Sequence, residues 1–280
     1  MTQSLPENVL AVSAFSLGEN GGNPAGVWLG EQFPTDCEMQ GIAAAVGFSE
    51  TVFACPQQDR WRVRYFSPES EVPFCGHATI ALGFVLAERY GVGLYALQLN
   101  DGQITVEGSG GDAPRIVLRS PETRSEAAPD SLTDRTLALF GYRRDQLDGR
   151  LPPAIACGGA RHLVLTLNQR QTLRDMAYDF SAVQQWMREQ ALTTIMLVWA
   201  EDERHFHVRN AFAGGGVYED PATGAAGAAF AGYLRDVGWP HGGDISIRQG
   251  EDMGCPSAIR AEFSNLKGSP ISISGMARWL

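Results

Sequence analysis

One stretch, Ser67 to Gly91, limits what this chain can fold into. It reads SPESEVPFCGHATIALGFVLAERYG. Polar, kinked residues with Pro68 and Pro73 lead to the step Cys75-Gly76-His77, and from Ala78 to Ala87 there is no charge. The run is too short to cross a bilayer, which takes about 20 apolar residues. As a helix it is apolar on nearly every face, so nearly every face must be buried. The start of such a helix carries N–H groups without intrahelical acceptors, and the positive end of the dipole. A thiol, an imidazole and backbone donors are thus aimed at the mouth of a core helix.

A second stretch, Glu219 to Gly238 (EDPATGAAGAAFAGYLRDVG), echoes the first. Laid with Ala222-Thr223 on Ala78-Thr79, it puts Gly227 on Gly83 and suggests an internal duplication, which would decide the fold. Between and around these helices lie many short strand candidates: 8–16, 25–29, 52–55, 61–66, 94–99, 103–106, 115–119, 154–167 (broken at Gly158-Gly159), 194–199, 205–210, 244–248, 257–263 and 271–274. Helix candidates add 34–46, capped by Thr35, with 131–140 and 180–190. Ser120 to Asp130 reads as a linker. Short alternating strands separated by turns favour antiparallel sheet, and a sheet closed around a helix buries all of its faces. The expectation is an α+β chain of two pseudo-symmetric, antiparallel β-barrel-like domains, each wrapped around a central α-helix and meeting at a cleft. The first spans 1–119 around helix 78–90, with 266–280 joining it. The second spans 120–265 around helix 221–237.

Composition narrows the function. The 280 residues are 44% hydrophobic and 19% charged, which is globular, and the net charge of −10 makes a nucleic-acid partner an unsuitable expectation. Met1 to Leu10 has neither the basic nor the apolar region of a signal peptide, and no membrane-spanning run is read. The five cysteines, 37, 55, 75, 157 and 255, are scattered and form no C-x-x-C, so neither a disulfide framework nor a zinc ribbon is expected. A reducing cytoplasm fits that pattern. Gly18 to Gly26 lacks the Gly-Lys-Ser/Thr ending of a phosphate loop.

Glu50, after Phe48-Ser49 and before a strand, is either a capping carboxylate or a general base with a pKa raised by apolar surroundings. His77 is a core histidine, or a proton donor and substrate contact. Cys75 is an inert buried thiol or a thiolate near a helix start. Asp220 is an N-cap of the second core helix or a functional carboxylate. Thr223, Gly224 and Ala225 would present backbone N–H groups suited to a substrate carboxylate. His205 and His207 share a strand face, but no carboxylate or third His falls at usable spacing, so no metal is expected there. Ser49 and Ser67 lack the G-x-S-x-G setting of a serine hydrolase.

Six stretches together resemble one family: Gly22-Asn23-Pro24-Ala25-Gly26, Ser49-Glu50-Thr51, Phe66-Ser67-Pro68 with Glu71-Val72, Cys75-Gly76-His77-Ala78-Thr79, Glu219-Asp220-Pro221-Ala222-Thr223-Gly224, and Arg248-Gln249-Gly250. In order and spacing they resemble the phenazine-biosynthesis PhzF-like isomerases, within the wider diaminopimelate-epimerase-like fold. The resemblance implies a cytoplasmic homodimer without cofactor or metal, acting on a small, carboxylate-bearing molecule. It makes Glu50 the proton shuttle, with His77 and Asp220 holding and protonating substrate, and Asn23, Ser49, Cys75, Gly76, Thr223, Gly224 and Ala225 lining the substrate site. Two departures bear on this. Ala225 stands where the family often has Ser, which opens the alternative of a binding protein of this fold that has lost its chemistry. The related racemases use two cysteines; Cys75 fits one of them, and the second motif has none, which leaves an unequal Cys75–Glu50 pair as a further alternative.

Overall fold

The computed structural model describes residues 5–6, 8–109 and 115–280, so the reading of Met1 to Leu10 lies partly outside it. In chain order the elements are β1 (Val9–Ser16), β2 (Asn23–Leu29), α1 (Asp36–Val46), β3 (Glu50–Gln57), β4 (Arg60–Phe66), β5 (Glu71–Val72), α2 (Gly76–Tyr90), β6 (Gly93–Leu99), β7 (Gly102–Gly108) and β8 (Arg115–Arg119). There follow β9 (Arg124–Ala127), α3 (Asp130–Leu139), β10 (Ala154–Cys157), β11 (Arg161–Leu167), α4 (Arg170–Arg174), α5 (Phe180–Glu189), β12 (Thr194–Ala200), β13 (His205–Ala211), β14 (Glu219–Asp220), α6 (Gly224–Asp236), β15 (Asp244–Gln249), β16 (Ser257–Glu262) and β17 (Ser272–Trp279). The chain forms two compact units, Met1–Arg119 with Ser274–Leu280, and Ser120–Ile273. Among the described residues no helix is long and apolar enough to cross a membrane.

In the first unit eight strands pair in the cyclic order β1–β2–β3–β4–β6–β7–β8–β17 and back to β1. The ring encloses α2, whose residues from Gly76 through Leu86 are all buried. The charge-free run of the sequence is thereby explained: no face of this helix meets water before its last turn. Helix α1 lies outside the ring, with Met39 and Ala43 packed on Trp28, Phe53 and Phe66. The cap read at Thr35 is present, and it is part of a capping box, the Thr35 hydroxyl accepting from the Glu38 amide at 3.3 Å.

The second unit sets its strands in the order β9–β10–β11–β12–β13–β15–β16, with β14 added to β13. One face carries α6, which is buried from Gly224 through Arg235. The other face packs Leu163, Leu165, Ile195 and Leu197 against α3 and α5. Residues 120–130 are not a plain linker, because they contain β9. Ser120 N donates to Ile271 O at 2.9 Å, and Arg235 reaches Ser269 O (3.1 Å) and Thr123 Oγ1 (2.8 Å). These bonds keep 266–273 with the second unit, so only the last seven residues return to the first, not 266–280.

Among the described residues the pairs β2–β3, β4–β6, β11–β12 and β13–β15 are parallel, where alternation alone suggested antiparallel pairing. Each parallel step needs a crossover, and helices supply it: α1, α2, α4 with α5, and α6. From β1 and from β10 the pairings then follow one pattern, antiparallel, parallel, antiparallel, parallel, antiparallel. The duplication is real, but its register differs from the Ala-Thr alignment. The helix starts, Gly76 and Gly224, are offset by 148 residues, and so are the two-residue strands that begin at Glu71 and Glu219. Cys75 therefore corresponds to Thr223, and His77 to Ala225. Both halves also repeat a bidentate ion pair. Arg64 donates from Nε and Nη2 to Glu71 (2.8 and 2.6 Å), and Arg209 from Nε and Nη2 to Glu219 (3.0 and 2.5 Å).

Glycines in the two core helices are under different pressure. A Cβ at Gly83 would collide with Val106 and Ile116, whereas one at Gly227 would make only ordinary contacts, the nearest at 3.5 Å. Alanine is the better helix former by about 1 kcal/mol, but overpacking costs about 1–3 kcal/mol. Gly227→Ala is expected to hold or raise the unfolding free energy measured by urea titration, and Gly83→Ala to lower it by about 1–3 kcal/mol.

His162, on β11, is wholly buried, and its Nδ1 meets Thr194 Oγ1 at 2.7 Å. Burial pushes its pKa down from the ordinary 6.5 to about 3. The unfolded chain takes up a proton near pH 6.5 that the folded chain refuses until about pH 3. This contribution to stability is complete above that upper value and is lost as pH falls through the window, at up to about 1.4 kcal/mol per pH unit. His162→Leu should flatten the acid limb of a stability profile measured by urea unfolding. A limb as steep as that of the parent chain would remove His162 as its cause.

Candidate active site

In the first unit the functional side chains sit around the mouth of α2. Helix α1 ends at Gly47, left-handed at φ 72°, and the turn delivers Ser49 and Glu50 to the start of β3. Cys75 is the N-cap of α2 but its side chain caps nothing, and there is no acidic residue in the first turn. That turn is pinned from behind. Thr79 Oγ1 donates to Cys75 O at 2.7 Å, so Tyr65 must donate to Thr79 Oγ1, also at 2.7 Å. Pinned this way, His77 has one ring nitrogen, Nδ1, at 3.2 Å from Cys75 Sγ. Its other nitrogen, Nε2, lies 3.3 Å from Ser49 Oγ and 3.5 Å from Glu50 Oε2. Asn23, buried, falls two residues before Ala25, the β2 neighbour of Glu50, and so shares the Glu50 face.

Glu50 is 7% exposed, and its Oε2 is buried without a hydrogen-bond partner. Burial raises its pKa above the usual carboxylate range, against the opposing pull of Ser49 and Cys75. A raised pKa makes this carboxylate a stronger proton acceptor than an ordinary surface glutamate. The capping role is not the one it takes. The donor atoms of Glu50, Cys75 and His77 all lie within 4.8 Å of one another, making this the one group of three that could hold a metal ion among the described residues.

The second unit has its own cluster at the start of α6. Asp220 is not the N-cap; it lies in β14, and the N-cap is Thr223. The Thr223 hydroxyl donates to the Asp220 carboxylate. Gln249 holds both residues: its amide donates to Asp220 O (2.7 Å) and Thr223 Oγ1 (3.0 Å), and its Oε1 accepts from Thr223 N (3.2 Å). Gly250 follows at φ 75°, and a Cβ there would strike the carbonyls of Pro221 and Cys255, so Gly is required for this close approach. Gly224 and Ala225 begin the helix, with no acidic residue in its first turn.

Glu50, Ser49, Cys75, Gly76 and His77 thus come together, as do Asp220, Thr223, Gly224 and Ala225. Gln249 was missed as a site residue; the signal was a Gln before a left-handed Gly at a strand end, next to a segment rich in small residues. At His207 the sequence expectation fails. Carboxylates do reach it, Glu251 at Nδ1 (2.8 Å) and Glu201 at Nε2 (3.2 Å). Chain-distant Glu251 arrives through a strand register that spacing does not reveal. The two acids take opposite nitrogens, a bridge rather than a chelate.

A family model described as phenazine biosynthesis-like protein matches residues 12–279. An uncharacterized isomerase of Deinococcus radiodurans is 32% identical over 261 residues, covering 90% of this chain and 85% of its own. The trans-2,3-dihydro-3-hydroxyanthranilate isomerase of Pseudomonas aeruginosa is 29% identical over 282 residues, covering 95% and 94%. Among solved structures, a Bacillus anthracis phenazine biosynthesis protein of the PhzF family superposes with a TM-score of 0.84 at 23% identity, covering 97% and 96%. A probable proline racemase from Agrobacterium radiobacter has a TM-score of 0.65 at 12% identity over 97% and 90%, which speaks to fold alone.

The two ion pairs differ in burial: side chains of Arg209 and Glu219 are 10% and 3% exposed, those of Arg64 and Glu71 16% and 28%. Losing one partner of a buried pair costs about 3–5 kcal/mol, whereas exposed pairs contribute about 0–1 kcal/mol. Glu219→Gln is expected to destabilise by several-fold more than Glu71→Gln in parallel urea titrations.

Proposed function

The chain belongs to the phenazine biosynthesis-like (PhzC-PhzF) family, and on that premise we propose that it is a cofactor-independent isomerase that moves a proton between carbon atoms of a small, carboxylate-bearing metabolite. Glu50 is the group that carries the proton. The observation that supports this most is Glu50 Oε2, buried, without a hydrogen bond, and 3.5 Å from His77 Nε2. A carboxylate there abstracts a proton from an acidified C–H and returns it, as carboxylic acid, to another carbon. His77, bracketed by Ser49 and Cys75, is set to hold a polar substituent or to supply a proton. Negative charge built up on the substrate is favoured by the positive end of α2.

The relative that acts on a dihydro-hydroxyanthranilate suggests a substrate in which a carboxylate and unsaturation acidify the migrating hydrogen. Asp220 is proposed, by the family resemblance, to hold and protonate substrate, with Thr223 and Gln249 fixing its orientation. The alternative of a racemase with two equivalent thiols is disfavoured, because the repeat counterpart of Cys75 is Thr223, whose hydroxyl is far less acidic.

The test is deuterium uptake from heavy water into a panel of unsaturated and hydroxylated carboxylates that includes trans-2,3-dihydro-3-hydroxyanthranilate. The parent chain should exchange at least one of them. Glu50→Gln should lower that rate by about 10²–10⁴ with an unchanged circular dichroism spectrum. Exchange at the parental rate in Glu50→Gln would exclude it as the carrier. Tight binding of a panel member with no exchange in the parent chain would favour a protein that has kept the fold and lost the reaction.

A further inference from the structure

His77 is held from both sides. Ser49 Oγ lies 3.3 Å from its Nε2, and Cys75 Sγ lies 3.2 Å from its Nδ1. The same two side chains also hydrogen-bond to Glu50. The groups therefore close into a ring, from Glu50 to Ser49 to His77 to Cys75 and back to Glu50. The imidazole and the carboxylate face each other across it, with Nε2 and Oε2 3.5 Å apart and no hydrogen bond of their own. Glu50, Cys75 and His77 are each less than a tenth exposed, so water has little access to compete for these contacts. The ring is built on rigid elements, the first residue of β3 and the pinned first turn of α2.

Counting hydrogens shows what such a ring does. Its four contacts need one hydrogen each. The hydroxyl and the thiol supply one apiece, a neutral imidazole one and a carboxylate none. The ring is then one hydrogen short, and at one buried contact two lone pairs meet, which leaves an acceptor unsatisfied. One added proton fills it in either of two ways. On His77 it makes an imidazolium that donates to Ser49 and Cys75, while both of these donate to Glu50. On Glu50 it makes a carboxylic acid that donates to Ser49; Ser49 donates to Nε2, Nδ1–H to Cys75, and Cys75 to Glu50. The two forms interconvert without moving a heavy atom. The Glu50 O–H bond breaks as a new Ser49 O–H bond forms, and the old Ser49 O–H bond breaks as an Nε2–H bond forms. No other reactant enters.

The fold does not need the ring in order to start a core helix. The repeat counterpart of His77 is Ala225, which has no polar side-chain atom, so the second unit cannot build one, and α6 begins all the same. What the ring adds is chemical. We infer that Ser49 and Cys75 are positioning residues that make Glu50 and His77 one acid–base unit sharing a single proton, with the Ser49 hydroxyl as the path between them. The shared proton stands on the ring alone. Its use in turnover rests on the isomerase reading: a proton that Glu50 takes from one carbon can be returned by His77 to another.

The test follows the Glu50 carboxyl carbon by carbon-13 NMR and the His77 ring nitrogens by nitrogen-15 NMR, across a pH titration of the full-length chain. Glu50→Gln and His77→Asn identify the two sets of signals. Groups that share a proton titrate with common macroscopic midpoints. Glu50 and His77 should therefore respond at one midpoint in the parent chain, at separate midpoints in Ser49→Ala, and at one again in Ser49→Thr, which restores the hydroxyl. Cys75→Ala opens the ring on its other side and carries the same readout if Ser49→Ala does not fold. Deuterium exchange into a responsive carboxylate should fall by more than about tenfold in Ser49→Ala, in kcat with KM little changed, and recover in Ser49→Thr. Separate midpoints in the parent chain would overturn the ring. A common midpoint kept in both Ser49→Ala and Cys75→Ala would assign the coupling to direct contact of Glu50 with His77 and remove both positioning residues. Midpoints that coincide in the parent and part in Ser49→Ala, in a chain that exchanges nothing, would uphold the ring and count only against the isomerase reading.

Discussion

A helix with no polar face is the constraint from which the rest of this structure follows. Eleven consecutive residues of α2 are buried, and twelve of α6. Neither helix can lie on a surface, so the strands must be wrapped or packed around it, and in the first unit they close into a complete ring. Closure also leaves no sheet edge in that ring to be protected. A helix held inside sheet can show only its ends. Its C-terminal end closes on the chain itself, through Gly91 N to Ala87 O at 3.0 Å. The start is different: Cys75 caps nothing, so backbone donors and the positive dipole end face whatever lies before the helix. The fold makes an anion-attracting spot at a place the chain cannot move.

The same device occurs twice, and comparing the copies separates scaffold from chemistry. Conserved between halves are the order of strand orientations, the two-residue strand before the helix and the arginine–glutamate clamp on it. These parts fix where the helix begins. What differs lies within a few residues of the helix start. Cys75 corresponds to Thr223, His77 to Ala225 and Val72 to Asp220. One copy has a thiol and an imidazole; the other has a hydroxyl and a carboxylate. The hydrogen bonds follow: Cys75 pairs with His77, and Thr223 with Asp220. The clamp is itself a reason to keep the scaffold fixed, since Arg209 is too buried to lose its partner without cost.

Much of this was legible in the sequence, for identifiable reasons. Absence of charge in Ala78–Ala87 predicts total burial without knowledge of any neighbour, because helix periodicity makes the statement local. Ser49, Glu50, Cys75, Gly76 and His77 are within 29 positions, so their meeting was foreseeable. Parallel strand pairs were not, because alternation records which face is buried but not the direction of the neighbouring strand. The repeat register was read one helical turn off. The Ala-Thr match follows from small residues common to any tightly enclosed helix, whereas the true landmarks, Glu71 and Glu219, are meaningful only through their arginine partners. Gln249 comes from a distant strand and Glu251 from the turn just after it, and spacing along the chain says nothing about either.

Glu50 carries the argument to its energetic limit. An unpaired buried acceptor costs about 1–3 kcal/mol, in a fold whose net stability is on the order of 5–15 kcal/mol. Such a group persists only where its surroundings leave it nowhere else to go. The left-handed Gly47 fixes the direction of approach, strand β2 on one side and β4 on the other fix the backbone from Thr51 onward, and Ser49 and His77 leave Oε2 facing a ring nitrogen just beyond hydrogen-bond length. A slightly longer turn would let the carboxylate reach water and relax; a slightly closer imidazole would neutralise it in an ion pair. Between those two outcomes the group keeps an unspent affinity for a proton, and that affinity is maintained by the enclosure of the helix beside it.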